Sequence, residues 1–149
     1  MNESKMTTKE LLQKLFKTTS VKRFIKRHRG DMLDLSFHTY LKEQCAKRKV
    51  SPAYVIEKSG IERTFGHHIF GGRKNPSRDK VLQLAFGFEM NYGETQELLK
   101  FARKSTLYPK IMRDAVIIQG LERKLKLDVV QAALAELNMP LIGREGRYE

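Results

Sequence analysis

The sequence has no tryptophan, only four prolines and a single cysteine, Cys45, and it contains no long apolar run. One cysteine excludes an intramolecular disulfide framework, and nothing resembles the paired-Cys spacing of a zinc site, so a reducing, cytoplasmic setting is expected. The longest purely apolar stretches, such as Ala115-Val116-Ile117-Ile118, fall far short of the roughly 20 residues that cross a bilayer, and no membrane span is expected. The start Met1-Asn2-Glu3-Ser4-Lys5 has neither an apolar stretch nor a small-residue cleavage site, so no secretory signal is expected.

Catalytic signatures are missing too. There is no phosphate-binding Gly-rich loop ending in Lys-Ser/Thr, no Gly-x-Ser-x-Gly elbow and no His-Glu-x-x-His, and Cys45 has no placed base. The chain is expected not to be an enzyme and to need no cofactor. Of the four histidines, His28, His38, His67 and His68, the last two are adjacent and on a helix point about 100° apart, unlike metal ligands at i and i+4. Asp114 reads as a surface charge and Asp128 as a helix cap.

Negative charge is the other scarcity. Against 17 Asp+Glu stand 29 Lys+Arg, a formal net charge of +12, and the pI is near 9.9. Residues 1–30 are the most basic part, with nine Lys or Arg and two Glu. Such a surplus attracts polyanions, of which nucleic acid is the common one inside cells. A chain of 149 residues, 40% hydrophobic and 31% charged, is long enough to bury one core.

Periodicity is helical almost throughout, and the expected class is all-α. Thr7-Thr8-Lys9-Glu10 has the form of a capping box before a helix with Leu11, Leu12, Leu15 and Phe16 on one face, and Ser20 begins a second, basic helix. These make residues 1–34 a basic helical extension, with Arg29 to Asp34 as its linker. Residues 35–105 read as a domain of five helices. Ser36 caps the first, with Phe37, Tyr40, Leu41 and Cys45 inward. Ser51 and Pro52 open the second, Gly60 makes a tight turn, and a third runs from about Glu62 to Phe70. Ser77 caps the fourth, and Asn91-Tyr92-Gly93-Glu94 starts the fifth. Residues 106–142 read as a helical pair, whose Val116, Ile117, Leu121, Val130 and Leu134 are either ordinary core or a surface for a homodimer or protein partner. Residues 143–149 read as a frayed tail.

Two short helices joined by a glycine turn suit a helix-turn-helix, with Val55, Ile61 and Ile69 holding the angle and the second helix offered to a DNA major groove. Residues 51–85, SPAYVIEKSGIERTFGHHIFGGRKNPSRDKVLQLA, resemble without a gap the Xre/Cro family of bacterial and phage regulators, which have lambda-repressor-like DNA-binding domains. Gly60-Ile61 matches the turn, Ile69 the buried aliphatic of the recognition helix, and Gly72 with Arg73-Lys74-Asn75-Pro76-Ser77 the exit loop. The resemblance covers about residues 36–105. Arg63-Thr64-Phe65-Gly66 and Tyr108-Pro109-Lys110-Ile111-Met112-Arg113-Asp114 are similar to segments of a clostridial-type branch with a terminal helical pair.

The resemblance implies a sequence-specific transcriptional regulator of double-stranded DNA, with repression as the expected output. It places Arg63, Thr64, His67 and His68 toward bases, and Ser51, Lys58, Arg73, Lys74 and Arg78 toward phosphates. Pro52 stands where the family often has a phosphate-binding Gln, and Gly66 where it has an aliphatic, so Phe65 or Phe70 is expected to turn in and fill the space. Glu62 is explained equally by a favourable charge at the helix N-terminus and by function. The rival reading is an antitoxin-like or accessory protein-interaction module built on the same fold, and a non-specific RNA or nucleoid binder ranks third.

Overall fold

The computed structural model describes residues 6–32 and 36–143, and every regular element among them is helical. The chain forms two compact units, Met1–Asp34 and Leu35–Glu149. In the first, α1 (Thr8–Lys17) starts at Thr7, whose hydroxyl accepts from Glu10 N at 3.2 Å, and α2 (Val21–Arg27) starts at Ser20, which accepts from Arg23 N. Phe24 of α2 is buried with its ring tilted against His28, centroids 4.6 Å apart. Part of the expected linker is ordered as a 3₁₀ turn over Arg29–Asp31, and Asp31 accepts from Met6 N. Leu33 and Asp34 lie outside the described residues.

The second unit contains seven described helices: α3 (Phe37–Arg48), α4 (Pro52–Ser59), α5 (Arg63–Phe70), α6 (Arg78–Gly87), α7 (Tyr92–Phe101), α8 (Met112–Glu122) and α9 (Leu127–Glu136). Their starts follow local chemistry. Ser51 accepts from Tyr54 N with Pro52 at the first helical position, Ser77 accepts from Lys80 N, and Asn91 and Glu94 form a reciprocal capping box. Asp128 does not cap α9. Lys126 holds the cap position and Asp128 sits in the first turn, where its charge favours the helix N-terminus.

Helix α6 runs through the middle of this unit, and every residue from Val81 to Gly87 is buried. Apolar residues all round the helix rather than along one stripe are the pattern of an element covered on every side. Its closest partner is α4, where a Cβ on Gly87 would stand 2.6 Å from Val55 O, so only glycine allows the approach. One continuous core runs from Leu41 and Cys45 of α3 through α4 to α7 and on to Ile117, Leu121, Val130, Leu134 and Ile142. The C-terminal pair therefore shares the core of the five preceding helices. Within the pair, Gly120 lies directly against Val130 Cγ2, which draws α8 and α9 together.

Besides this shared core, α8 is joined to the rest by ion pairs, which correct the reading of Asp114 as a surface charge. Asp114 is 2% exposed and takes both arms of the Arg78 guanidinium, at 3.1 and 2.9 Å. Next to it, Arg113 grips Asp79 with the same two-pronged geometry, at 3.1 and 2.8 Å. Arg113 also donates to Pro140 O and Leu141 O, and Asp79 accepts from Gly143 N. Gly143 is thus tied down at the head of the expected tail, and residues 144–149 lie outside the described ones.

Candidate functional site

Helix α5 is held by three devices. Gly60 takes the left-handed conformation at φ 72° and reverses the chain after α4. Ser59, fully buried, donates to Ile56 O at 2.7 Å and accepts from Ile61 N, which fixes the first half of the turn. Glu62 then caps α5 by accepting from Thr64 N at 2.7 Å and Phe65 N at 3.1 Å. Those two amide bonds, Thr64 first, hold the Glu62 carboxyl below its ordinary pKa, and the nearby His68 adds a smaller pull in the same direction.

The inner face of α5 is apolar, with Ile69 and Phe70 buried and Phe65 packed on the core. Gly66 leaves no space for an aromatic to fill. A Cβ there would stand 2.5 Å from Ile56 Cγ2, so the side chain of α4 occupies the position that an aliphatic on α5 would take. Phe70 turns in, but the space beside Gly66 belongs to Ile56.

The outer face carries the candidate side chains. Arg63, Thr64 and His67 are exposed and His68 is half-buried, and all four line one shallow depression of about 510 Å³ with Gly71 and Arg73. The exit loop folds back on the end of α5, since Arg73 N and Lys74 N both donate to His68 O, at 2.9 and 3.3 Å. Gly72, at φ 78°, leaves space for the His38 ring, whose Nδ1 lies 2.7 Å from where its Cβ would be. His38 thus packs under the loop that displays Arg73 and Lys74. Its role was hidden in the sequence, because a lone histidine on α3 gives no hint of a contact 34 residues away.

The five residues assigned to phosphates are not equivalent. Arg73 lines the depression and Lys74 is exposed beside it, while Ser51 lies at the start of α4 with its oxygen accepting from Tyr54 N. Lys58 lines a different and larger cleft, and its ammonium sits over the Tyr54 ring at 5.6 Å. Arg78 is committed internally, donating to Ser105 O and Thr106 O as well as to Asp114. A guanidinium with these partners has little left for a phosphate.

Among the described residues no three His, Cys, Asp or Glu side chains cluster in a way that could hold a metal ion, and no helix is long and apolar enough to cross a membrane. Cys45 is buried, and desolvation pushes its thiol pKa up. Comparison with protein-family models, with curated proteins and with solved structures finds no match to this chain.

Proposed function

We propose that the chain is a sequence-specific DNA-binding transcriptional regulator of the Xre/Cro kind, which inserts α5 into a major groove and represses by occluding a promoter. The observation that carries the reading is the depression on α5, where Arg63, Thr64, His67 and His68 stand together with Arg73. Arginine can donate two hydrogen bonds to guanine O6 and N7, threonine can meet a thymine methyl, and histidine can bond a base edge. Arg73 and Lys74 supply positive charge at the rim, and the +12 balance of the chain supports attraction to a phosphate backbone. Two eight-residue helices joined through Gly60, inside a set of five, are the arrangement this mode of docking uses.

A helix of this length spans only a half-site, so a homodimer on a two-fold symmetric operator belongs to the proposal. The reading also places the protein in the cytoplasm. The test is selection of bound fragments from a random duplex pool, followed by titration of the winning sequence at several salt concentrations. An enriched, palindromic site bound tightly near physiological salt is the expected result. Weak, steeply salt-dependent binding without enrichment would overturn it.

A second reading, a protein-interaction module, draws on the segment between α7 and α8. Tyr108 and Ile111 of that segment and Met112, the first residue of α8, are 53%, 50% and 74% exposed, a group of large apolar side chains that a protein partner could cover.

A further inference from the structure

The second unit also holds a cavity larger than the depression on α5. A cleft of about 830 Å³ lies between the end of α4, one side of α6 and the start of α9, with Ile142 and Gly143 also in its lining. Its volume falls in the range of sites that enclose small molecules, and its position between packed helices is a common one for them. Part of its lining is apolar, from Phe86, Met90 and Leu127 among others. Its polar wall is built around Gln83, 5% exposed, whose amide donates to Ser59 O at 3.1 Å and accepts from Lys80 Nζ at 3.2 Å.

The charges of the lining are unequal in their surroundings. Glu57, Glu89 and Asp128 are exposed to water, as are three of the four lysines, whereas Lys80 is half-buried. A charge shielded from solvent projects a stronger field than one that water screens. Lys80 uses one of its three ammonium donors on Gln83, which fixes the head and leaves two for a ligand. An anchored cation beside an apolar wall is complementary to a ligand with one anionic group on an apolar body.

We propose that this cleft binds a small amphipathic anion, a carboxylate or sulfonate carried on a ring or chain, with Lys80 on the anion and Phe86 and Leu127 on the apolar part. The assignment does not rest on the DNA-binding reading. It does place the ligand against Gly60, whose Cβ position lies 3.8 Å from Leu127 Cδ2, so the occupant touches the turn that carries α5.

The probe is anilinonaphthalene sulfonate, compared with phenylnaphthylamine, which keeps the rings and lacks the anion. The full chain should bind the sulfonate saturably at one site and more tightly than the neutral compound. Lys80→Gln should weaken the sulfonate by about tenfold, the size of one lost charge-assisted contact, and leave phenylnaphthylamine unchanged. Thermal unfolding of Lys80→Gln checks that the variant is folded, and Lys126→Gln, which changes an exposed lysine of the same lining, should have the smaller effect. Non-saturable fluorescence, equal affinity for both compounds, or a Lys80→Gln variant that binds the sulfonate as the parent does would overturn the proposal. No DNA enters the measurement, so its failure leaves the operator selection intact and the reverse also holds.

Discussion

Arg78 and Asp114, 36 residues apart, meet as a two-pronged ion pair with N–O distances of 3.1 and 2.9 Å, and the carboxylate is almost wholly removed from water. The neighbouring residues repeat the bond with the charges exchanged, Arg113 on Asp79. Two consecutive residues at the start of α6 are thereby locked to two consecutive residues at the start of α8. The same pair explains the Tyr-Pro-x-x-x-Arg-Asp segment, since Asp114 also accepts from Tyr108 N at 2.9 Å.

Removing one partner should strand a buried charge. Arg78→Ala is expected to lower unfolding free energy by about 3–5 kcal/mol, and Arg78→Ala with Asp114→Ala by less than the sum of the two single changes. Urea unfolding of the four chains measures the coupling. In DNA titrations under conditions where Arg78→Ala is folded, the salt slope should match that of the parent, because the guanidinium faces Asp114 and two carbonyls rather than a phosphate.

The depression on α5 separates two kinds of contact. Arg63→Ala should cost about 1–3 kcal/mol on the selected site and relax discrimination at one base pair. Lys74→Ala should weaken all sequences alike and reduce the salt slope by about 1. Competition binding with single-base variants of the site distinguishes the two, and an Arg63→Ala protein with unchanged specific affinity would remove α5 from the recognition role.

Close approach of α4 and α5 at Ile56 and Gly66 makes a two-residue test. Gly66→Ala should gain about 1 kcal/mol in helix propensity and lose about 1–3 kcal/mol to overpacking against Ile56, a net destabilisation. In an Ile56→Ala background, where the opposing methyls are gone, the same Gly66→Ala change should stabilise. Thermal or urea unfolding of the four combinations reads the change of sign.

Acid should act on α5 through its cap. The Glu62 carboxyl titrates below its ordinary value of 4.5 when folded, so its contribution to stability is fully present above the unfolded value and is lost as pH falls through the native one. Melting temperatures of the parent and Glu62→Gln should therefore differ most near neutral pH and converge as pH falls through the native value. A difference that persists undiminished into strong acid would show that the charge on Glu62 is irrelevant to the cap.

The helices themselves were legible in the residues. Capping by Thr7, Ser20, Ser51, Ser77 and Asn91, the turn at Gly60 and the apolar faces of α3 to α7 are local signals, set by backbone donors within three residues and by a 3.6-residue period. The grouping of Arg63, Thr64, His67 and His68 follows from the same period, because one helix face gathers residues three and four apart.

What the residues could not disclose is which charge meets which across the fold. Asp114 looks like any surface acid in the sequence, and Arg78 like any cation of an exit loop. Only the packing of α8 on α6 brings them together and takes Asp114 out of water. The same holds for Ile56 in the space beside Gly66 and for His38 under Gly72. Sequence determined the helices, their apolar faces and the caps at Thr7, Ser20, Ser51, Ser77 and Asn91, though not that of α9, since these depend on near neighbours. Tertiary structure decided which polar groups were left to face a ligand, since a side chain is free only when no distant partner has already claimed it.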